Sequence, residues 1–522
     1  MGDGATRQLL GLYVRFGDCV DLDANRAVHR LDASLGTNLL PGVTDLVPAY
    51  ASLYVEFDVS NVTRDAVAAW IASTMTDPAS RVERSPRDVE LPVVYDGDDL
   101  PHVATETNTS VPEVVARHSG RSYHVHAVGF TPGFAYLAEV DEAIRVPRRE
   151  TPRTDVPEGT VAMADGQTGV YGVTSPSGWN LLGRSLVPVY DPSRAEPFLL
   201  SPGDRVRFVA TTGTRPKVGA ALELLPVTPR TPVVRVVRAG LLDLVVDRGR
   251  VFSGRYGLAR SGPLDSHSAS LAQCLVRAAP DDALLEISRI GGRYEILSDA
   301  VLAFTGYGLQ ASLDDEPIPA CSSFPARRGQ HLDILPTRNG RGCRGYLAVA
   351  GGIEATTFRG STSPDLRGRI GRALQPGDVL GRAREATAIP GRHFQPYRWQ
   401  GRTVTLGILN GPQYTPDALA ALSRQTFAVK HADRMGLVLH GPEPVPGGGI
   451  VSEAVPVGAV QVTSGGAPIV LLADRGTLGG YTKPAVLHPA ALAQAAQLRE
   501  GDAVRFRPVE RPSYRWDTEG PR

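Results

Sequence analysis

Three aromatic rings and several arginines lie close together in this sequence. The stretch "GFTPGFAYL" (129–137) carries Phe130, Phe134 and Tyr136 on a backbone in which Pro132 fixes its own φ and the glycines permit positive φ. The following stretch, 146–185, adds cationic and neutral hydrogen-bonding groups: Arg148, Arg149, Arg153, Gln167, Thr168, Trp179 and Asn180. This combination predicts a site for a small anionic or amide ligand, with rings as walls and guanidinium groups for a carboxylate or phosphate.

A second group of polar residues lies towards the C-terminus, on segments broken by glycine. The stretches are "ADRMGLVLHGP" (432–442), "VSEAVPVGAVQV" (451–462) and "LLADRGTLGGYTKPAVL" (471–487). The chain has only three lysines, so a position that keeps one has a use for its compact, titratable ammonium group. We predict catalytic roles for Asp433, Arg434, Asp474, Arg475 and Lys483. We predict binding roles for Glu453, Gln461 and Tyr481.

Both groups also have a structural interpretation. Phe130, Phe134 and Trp179 would then be barrel core, and the arginines would be solvated surface charges. In "RSGPLDSHS" (260–268), Asp265 is placed to cap a helix, which is again a structural role. The sequence leaves this choice to the tertiary structure.

Several common chemistries are excluded by their motifs. The sequence has no G-x-x-x-x-G-K-[ST] loop, no G-x-S-x-G elbow and no Ser-Ser-Lys amidase loop. No lysine stands in the Met-Lys-Met context of a biotin carrier. His124 and His126 share one strand face but have no carboxylate or cysteine close by, so we predict no metal site.

Charge and composition narrow the class of protein further. Lys plus Arg and Asp plus Glu both number 55, and this balance argues against a nucleic-acid or membrane-surface protein. No apolar run reaches the roughly 20 residues of a membrane span. The N-terminus shows no signal-peptide pattern, and the four scattered cysteines form no C-x-x-C pair. The expected compartment is therefore the cytoplasm.

The elements that would position these residues are mostly short strands. The 56 glycines and 42 prolines, among many short apolar runs, are typical of a mainly β protein with α+β parts. The candidate helices are few: 64–74 with a cap at Asn61, 110–118, 266–278, 416–423 and 489–498. We predict an N-terminal α/β domain at 1–87, a barrel at 88–210, a linker at 211–232, a larger β unit at 233–508 and a frayed tail at 509–522.

Two echoes within the sequence indicate internal duplication. "SPGDRVRF" (201–208) and "REGDAVRF" (499–506) share a Gly-Asp turn that leads into an alternating strand; "QPGDVLGR" (375–382) and "RRGQHLDI" (327–334) are looser copies. "ADGQTGVY" (164–171) resembles "ADRGTLGGY" (473–481). We therefore predict several related β-barrels, with both echoes at equivalent positions in two of them.

These stretches also resemble a known family. Residues 11–210 resemble the B component of bacterial 5-oxoprolinase, the kinase-inhibitor or allophanate hydrolase subunit 1 family, through "PGVTDLVPAYASLYVEFD", "GFTPGFAYL", "PRRETPRTDVPEGTVA", "GQTGVY" and "SPSGWNLLGR". Residues 235–506 resemble its C component, the allophanate hydrolase subunit 2 or carboxyltransferase-domain family, through "ARSGPLDSHS", "GPQ", "DRMGLVL", "SEAVPVGAVQV", "PIVLLADRGTLGGY" and "LREGDAVRF". The two matches are colinear, so the chain looks like a B–C fusion.

The resemblance implies cyclophilin-like β-barrels, one in the B part and a tandem pair in the C part. It also implies ATP-dependent opening of 5-oxo-L-proline to L-glutamate, with Mg²⁺ accompanying ATP, the separate A component of 5-oxoprolinase as partner and no biotin attached to this chain. ATP would phosphorylate the lactam oxygen, and water would then attack the activated imidate carbon. Self-association into a homo-oligomer stays open.

The chain departs from the family pattern at two places. Family members usually carry glutamine where Val246 precedes Asp247, and "LLADRQTTGGYPK" where this chain has Gly476 and Leu478. These departures bear on the substrate. Two further functions are therefore kept open: a carboxyltransferase-like module, as in urea carboxylase, acting on a biotin carrier in trans, and a regulatory inhibitor of a histidine kinase.

Overall fold

The computed structural model describes residues 8–77, 79, 82, 85–214, 219–338, 340–395 and 403–509. The predicted tail lies outside the described residues apart from residue 509, and residues 215–218 of the predicted linker lie outside them as well. The described part of the chain is mainly β, with short strands and seven α-helices. None of the described helices is long and apolar enough to cross a membrane.

The first described residues form a small α/β unit, called here the N-terminal unit. Its elements are β1 (Leu9–Arg15), α1 (Leu22–Thr37), β2 (Val43–Pro48), β3 (Ser52–Asp58) and α2 (Arg64–Thr76). The strands form an antiparallel sheet in the order β1-β3-β2, and both helices pack their apolar side chains on it. The helix candidates omitted α1, which is capped by Asp21. The cap of α2 is Thr63, not Asn61, because the Thr63 side chain accepts from Ala66 N.

The next unit is a closed barrel of seven strands, called here the first barrel. Its elements are β4 (Asp88–Val94), α3 (Leu100–Glu106), α4 (Val111–Ser119), β5 (Ser122–Val128), β6 (Ala135–Ala138), β7 (Arg153–Val156), β8 (Thr160–Ala164), β9 (Gln167–Val170), β10 (Ser175–Ser177), β11 (Asn180–Ser185) and β12 (Arg205–Ala210). The ring order is β11-β4-β12-β5-β6-β9-β8, and β7 pairs with β10 outside the ring. Side chains of the ring and of α3 and α4 form one apolar core.

Two sheets that share a core make up the middle unit. Its elements are β13 (Pro232–Arg238), β14 (Leu242–Val246), α5 (Ser266–Leu275), β15 (Leu284–Ser288), β16 (Arg293–Ile296), β17 (Ala300–Tyr307), β18 (Leu309–Leu313), β19 (Glu316–Pro317), β20 (Ser322–Ala326), β21 (His331–Pro336), β22 (Arg344–Val349) and β23 (Val379–Gly381). The sheet orders are β19-β18-β21-β16-β13-β23 and β14-β15-β22-β17-β20. Asp265 caps α5, as predicted, through a 2.9 Å bond from Ser268 N.

The last unit, called here the C-terminal barrel, closes through pairing of its first and penultimate strands. Its elements are β24 (Thr403–Asn410), α6 (Pro416–Arg424), β25 (Thr426–Ala432), β26 (Gly436–His440), β27 (Gly449–Ala454), β28 (Ala459–Val462), β29 (Pro468–Leu471), β30 (Leu478–Leu487), α7 (Pro489–Ala496) and β31 (Ala503–Pro508). The order is β24-β31-β25-β26-β29-β28-β30, with β24 also paired to β30 and β27 attached beside β30. The mainly β fold with barrels is thus confirmed.

The Gly-Asp repeat marks equivalent strands in the two closed barrels. β12 runs parallel to β4 and antiparallel to β5. β31 runs parallel to β24 and antiparallel to β25 in the same way. The duplication predicted from this pair is therefore confirmed, whereas the looser copies lead into β23 and β21, which have only antiparallel partners.

The second echo does not mark equivalent positions, and that prediction is wrong. "ADGQTGVY" forms the turn between β8 and β9, whereas "ADRGTLGGY" follows β29 and enters β30. In the ring order β9 corresponds to β29, and β11 corresponds to β30. The two stretches are alike because both loops use turn-forming residues, which recur wherever a chain reverses.

Candidate functional site

The stretch "GFTPGFAYL" forms a tight loop between β5 and β6. Phe130 has a φ of 66° and Gly133 a φ of 72°, so the loop uses two left-handed residues. Hydrogen bonds from Thr131 N to Gly129 O (2.7 Å) and from Gly129 N to Phe134 O (2.9 Å) close the loop on itself. Because the backbone is fixed in this way, its aromatic side chains hold defined positions.

The rings of this loop form one wall of a cleft. Phe134 makes edge contacts with Tyr136, with ring centroids 4.7 Å apart, and with Trp179, at 5.6 Å. Aromatic pairs favour this geometry. Phe134, Tyr136 and Trp179 are buried in one core cluster and also line the cleft, so the structural and the pocket-wall interpretations both describe them.

The cleft lies between the first barrel and the C-terminal barrel, and the N-terminal unit contributes to its rim. Its volume is about 1250 Å³. Pockets for one small ligand have volumes of roughly 300–1,000 Å³, so this cleft has room for more than one such molecule. Phe130, Phe134, Tyr136, Arg148 and Trp179 line it from the first barrel, and Glu453, Gln461 and Tyr481 from the C-terminal barrel.

The wall contributed by the C-terminal barrel is shaped by a bulge in β27. Gly449 pairs with Tyr481 and Glu453 pairs with Gly479, so three residues of β27 face a single residue of β30. The extra residues cannot stay in the ladder. Ile450, Val451 and Ser452 line the cleft as a result.

The two barrels touch directly at the back of the cleft. A Cβ atom added to Gly129 would overlap the side chain of Leu478, and one added to Gly476 would lie 3.0 Å from the carbonyl oxygen of Phe130. The aromatic loop therefore packs against the start of β30. Gly476 and Leu478, the two departures from the family pattern in this segment, both line the cleft.

Glu453 is the centre of a charged cluster beside the cleft. Its carboxylate accepts hydrogen bonds from Arg15 Nη2 (2.8 Å) and Gln413 Nε2 (2.7 Å), and Lys483 Nζ lies 3.1 Å from Oε1. Burial alone would raise the pKa of Glu453, but Lys483, Gln413 and Arg15 outweigh it and hold the pKa below its usual range. Burial lowers the pKa of Lys483, and Glu453 offsets this only in part.

Three polar side chains line the cleft and make few or no hydrogen bonds or ion pairs with the other described residues. The Gln461 side chain is 8% exposed, and its amide has no hydrogen-bond partner among the described residues. The Arg148 side chain is 61% exposed, with Cζ 6.0 Å from the Trp179 ring and Nε 4.0 Å from Asp165. Among the described residues, the one hydrogen bond of Arg367 is a 3.5 Å contact with the sulfur of Met435, and burial lowers the pKa of Arg367. These groups can receive an amide and an anion.

The neighbouring arginines of the first barrel have a different role. Arg149 and Arg153 each donate to Oδ1 of Asp99 at 2.8 Å, and Oδ2 of Asp99 accepts from Leu181 N at 2.8 Å. Burial opposes ionisation, yet Arg153, Leu181 N and Arg149 together keep the pKa of Asp99 below its usual range. This cluster fixes the strand that follows Trp179, so neither arginine is a free surface charge.

Three other predicted binding residues are committed inside the first barrel. Gln167 Oε1 accepts from Tyr50 OH at 2.9 Å. Thr168 Oγ1 lies 2.9 Å from His118 Nε2 and donates to Ala162 O at 3.0 Å. Pro132 is buried within the aromatic loop. These residues shape the barrel behind the cleft and are not part of its walls.

The charged residues predicted as catalytic separate into two sets. Arg434 donates to Asp474 Oδ2 (2.7 Å), to Gly262 O (2.7 Å) and to Glu286, and so joins the C-terminal barrel to the middle unit. Asp433 accepts from Met435 N and Gly436 N within a turn, and Arg475 donates to Val455 O. Among the described residues, none of these four lines the cleft, although Asp433 and Arg475 bond to the backbone of the lining residues Met435 and Val455. Lys483 contacts the side chain of a lining residue, Glu453.

Several residues of the cleft were not among the predicted site residues. Arg15, Gln413, Ser452 and Arg367 line it. Gln413 belongs to "GPQ" and Ser452 to "SEAVPVGAVQV", two of the stretches that carried the family resemblance, and this was the signal that could have found them. Arg15 and Arg367 come from the N-terminal and middle units, and their proximity to the cleft is a property of the tertiary structure.

No metal site is visible in the described part of the chain. No group of three or more His, Cys, Asp or Glu side chains is placed to hold an ion there. His124 Nε2 lies 2.9 Å from Asn25 Oδ1, and burial lowers the pKa of His124 to about 4 and that of His126 to about 3. Both imidazoles are therefore neutral groups of the interior at neutral pH.

Comparison with known proteins places both halves of the chain. Residues 8–200 match the family described as carboxyltransferase domain, subdomain C and D, and residues 256–508 match carboxyltransferase domain, subdomain A and B. The B component of 5-oxoprolinase from Bacillus subtilis is 33% identical over 222 residues, 40% of this chain and 90% of that protein. The C component of 5-oxoprolinase from Escherichia coli is 32% identical over 286 residues, 52% of this chain and 90% of that protein. The crystal structure of TTHA0988 has a TM-score of 0.91 and 48% identity, and covers 96% of this chain and 100% of that one.

Proposed function

The chain belongs to the family of 5-oxoprolinase B and C components, and on that premise we propose that it is the B–C part of an ATP-dependent 5-oxoprolinase. Together with a separate A component it would convert 5-oxo-L-proline to L-glutamate. The proposal assigns both halves of the chain to one reaction.

The observation that carries the proposal is that both halves wall the same cleft. Phe134 and Trp179 from the half that matches the B component face Glu453 and Gln461 from the half that matches the C component. A site built in this way requires both parts at once. Joining them in one chain keeps the walls together without an association equilibrium.

The groups that face the cleft fit the lactam. 5-Oxoproline is a small flat ring with one amide and one carboxylate. The unpaired amide of Gln461 can exchange hydrogen bonds with the lactam, Arg148 can bind the carboxylate, and the aromatic rings can cover the ring faces. The volume of about 1250 Å³ leaves room for the phosphate end of ATP beside the lactam.

The proposed chemistry begins with transfer of the γ-phosphoryl group of ATP to the lactam oxygen. ADP leaves, and water adds to the activated imidate carbon. The ring C–N bond then breaks as the nitrogen takes up a proton, and a second water releases phosphate, so that glutamate, ADP and phosphate are formed. Glu453, paired with Lys483, is a buried carboxylate of the cleft wall and would act on a proton there. Mg²⁺ would enter with the phosphates of ATP.

Reconstitution tests this proposal. We expect the purified chain, mixed with the A component, ATP, Mg²⁺ and 5-oxoproline, to form glutamate and ADP, and either protein alone to form none. A biotinylated carrier with bicarbonate, in place of the A component, tests the carboxyltransferase alternative. Glutamate formation by the chain alone would show that no partner is needed, and no glutamate from the mixture would reject the proposal.

A further inference from the structure

A second, much smaller cavity lies where three units meet. Its walls come from β2 and β3 of the N-terminal unit, from the segment 254–260 of the middle unit, and from residues 454–477 of the C-terminal barrel. Its volume is about 10 Å³. A cavity of roughly 10–15 Å³ holds one water-sized particle, so this one has room for a single such occupant.

Three lining residues keep a polar atom without a partner among the described residues. The atoms are Nη1 of Arg260, Nη1 of Arg475 and Oγ1 of Thr477. The Arg260 side chain is 9% exposed, and Arg475 and Thr477 are 7% and 4% exposed. Buried donors are almost always satisfied in folded proteins, so three of them around one cavity indicate an occupant.

The charges around the cavity are also unbalanced under mildly acidic conditions. Arg260 pairs with Glu56, which also accepts from Thr44 Oγ1 at 2.8 Å. Asp45 accepts from Gly254 N at 3.0 Å, and burial together with Glu56 raises the pKa of Asp45 to about 7. Below that pH, two guanidinium groups therefore face one carboxylate.

We propose that this cavity binds one small monovalent anion, for which chloride is the probe, held by Arg260, Arg475 and Thr477. A water molecule can bond to all three groups, because it accepts from both arginines and donates to Thr477 Oγ1, but it is neutral, whereas an anion also makes charge-assisted hydrogen bonds with both guanidinium groups. An anion also neutralises the guanidinium charge that is left over when Asp45 is protonated. The site is separate from the cleft and does not depend on the proposed 5-oxoprolinase activity.

Anion binding should be coupled to protonation of Asp45. The groups that act on Asp45 come from every unit packed against it: Tyr54, Glu56, Gly254, Arg255, Arg260 and Arg475. Arg255 is itself paired with Asp32, so it leaves no free charge at the cavity. An anion added beside a protonated Asp45 restores neutrality, whereas beside an ionised Asp45 it adds a surplus negative charge. The bound anion should therefore stabilise the protein more at low pH.

The position of the cavity gives the anion a structural consequence. It would connect three units that otherwise meet through buried ion pairs. Val455 lines both this cavity and the cleft, so the occupant lies one residue layer behind the cleft wall. A protein that has lost the anion should hold its three units together less firmly.

Thermal unfolding of the full chain tests the proposal in solution. Sodium chloride is compared with sodium gluconate at equal ionic strength, at about pH 6 and about pH 8. We expect chloride to raise Tm at the lower pH by roughly 1–2 °C for each tenfold increase above its dissociation constant, and much less at the higher pH. Equal Tm values in both salts at both pH values would overturn the proposal.

Variants identify the groups involved. Arg475→Met and Thr477→Val should lose the chloride response, while Arg424→Met, which removes an exposed arginine paired with Glu443, should keep it. Asp45→Asn stays neutral, so its chloride response at about pH 8 should equal that at about pH 6. The proposed anion site would be contradicted if both cavity variants kept the chloride response. It would also be contradicted if Asp45→Asn showed no chloride response.

Crystals of the unchanged protein grown in bromide provide a test that needs no variant. We expect an anomalous peak within hydrogen-bonding distance of the Arg260 and Arg475 guanidinium groups. Density at this position without anomalous signal would identify a water molecule and reject the anion. An empty cavity would reject it as well.

Discussion

Replacing Lys483 with methionine is the sharpest test of the charged cluster at the cleft. The Lys483 side chain is fully buried (0% exposed), and its Nζ lies 3.1 Å from Oε1 of Glu453. Methionine keeps most of the apolar stem and removes the charge, so packing changes little. Glu453 would keep its contacts with Arg15 and Gln413 but lose one of its three partners.

The expected loss of stability follows from this geometry. Removing one partner of a buried ion pair costs about 3–5 kcal/mol when the remaining charge has no compensation. Here Arg15, whose side chain is 41% exposed, still compensates Glu453. We therefore expect a loss of about 2–3 kcal/mol. If the cluster also acts on the reaction, turnover with the A component should fall roughly 30- to 1000-fold, which corresponds to about 2–4 kcal/mol.

Urea unfolding of Lys483→Met, Glu453→Gln and the double variant measures the coupling. The double variant should lose less stability than the sum of the single losses, because no buried charge is then left unpaired. Lys430→Met is the matched control, since Lys430 is exposed on β25. If Lys483→Met equals Lys430→Met in both stability and turnover, the ion pair has no role in either, and our placement of chemistry beside Glu453 fails.

Further variants test the arginines of the first barrel, the contact between the two barrels and the buried histidines. Arg148→Ala should lower kcat/KM of the reconstituted reaction and leave Tm unchanged. Arg153→Ala should leave kcat/KM unchanged and lower the free energy of unfolding by about 1–3 kcal/mol, because Arg153 forms an ion pair with the buried Asp99. The reverse pattern would contradict the assignment. Gly129→Ala should destabilise the protein by about 1–3 kcal/mol, because the new Cβ overlaps the side chain of Leu478. Adding Leu478→Ala to this variant should restore stability. Additive effects of the two substitutions would show that the residues are not in contact. Burial lowers the pKa of His118 and His126 to about 3, so the folded protein keeps both imidazoles neutral where the unfolded chain binds protons. The free energy of unfolding should be at its full value above about pH 6.5 and should fall as the pH is lowered towards about 4, with a loss of about 2 kcal/mol for each imidazole at about pH 5. His126→Asn should make this pH dependence weaker in urea unfolding experiments. An unchanged pH dependence would refute the assignment to His126.

Features that depend on neighbouring residues could be predicted from the sequence. The kink of the aromatic loop follows from Pro132 and from Gly133, which takes a positive φ as expected, whereas the second left-handed residue is Phe130 and not Gly129. The Asp265 cap and the equivalence of β12 and β31 follow from local turn and cap chemistry as well. The family resemblance rested on the same short stretches.

The separation of cleft residues from structural ones was decided by the tertiary structure. Arg148 and Arg149 are adjacent in the sequence, yet one lines the cleft and the other binds Asp99, 50 residues away along the chain. Arg434 is a charged residue next to a glycine-rich turn, as a ligand-binding residue would be, but its partner Glu286 belongs to the middle unit. Charged residues at glycine-rich turns serve equally to bind ligands and to join barrels, and only the position of the distant partner distinguishes the two uses. The cleft itself arises where the loop at Gly129 meets Leu478, a contact between residues more than half the chain apart, which no local pattern encodes.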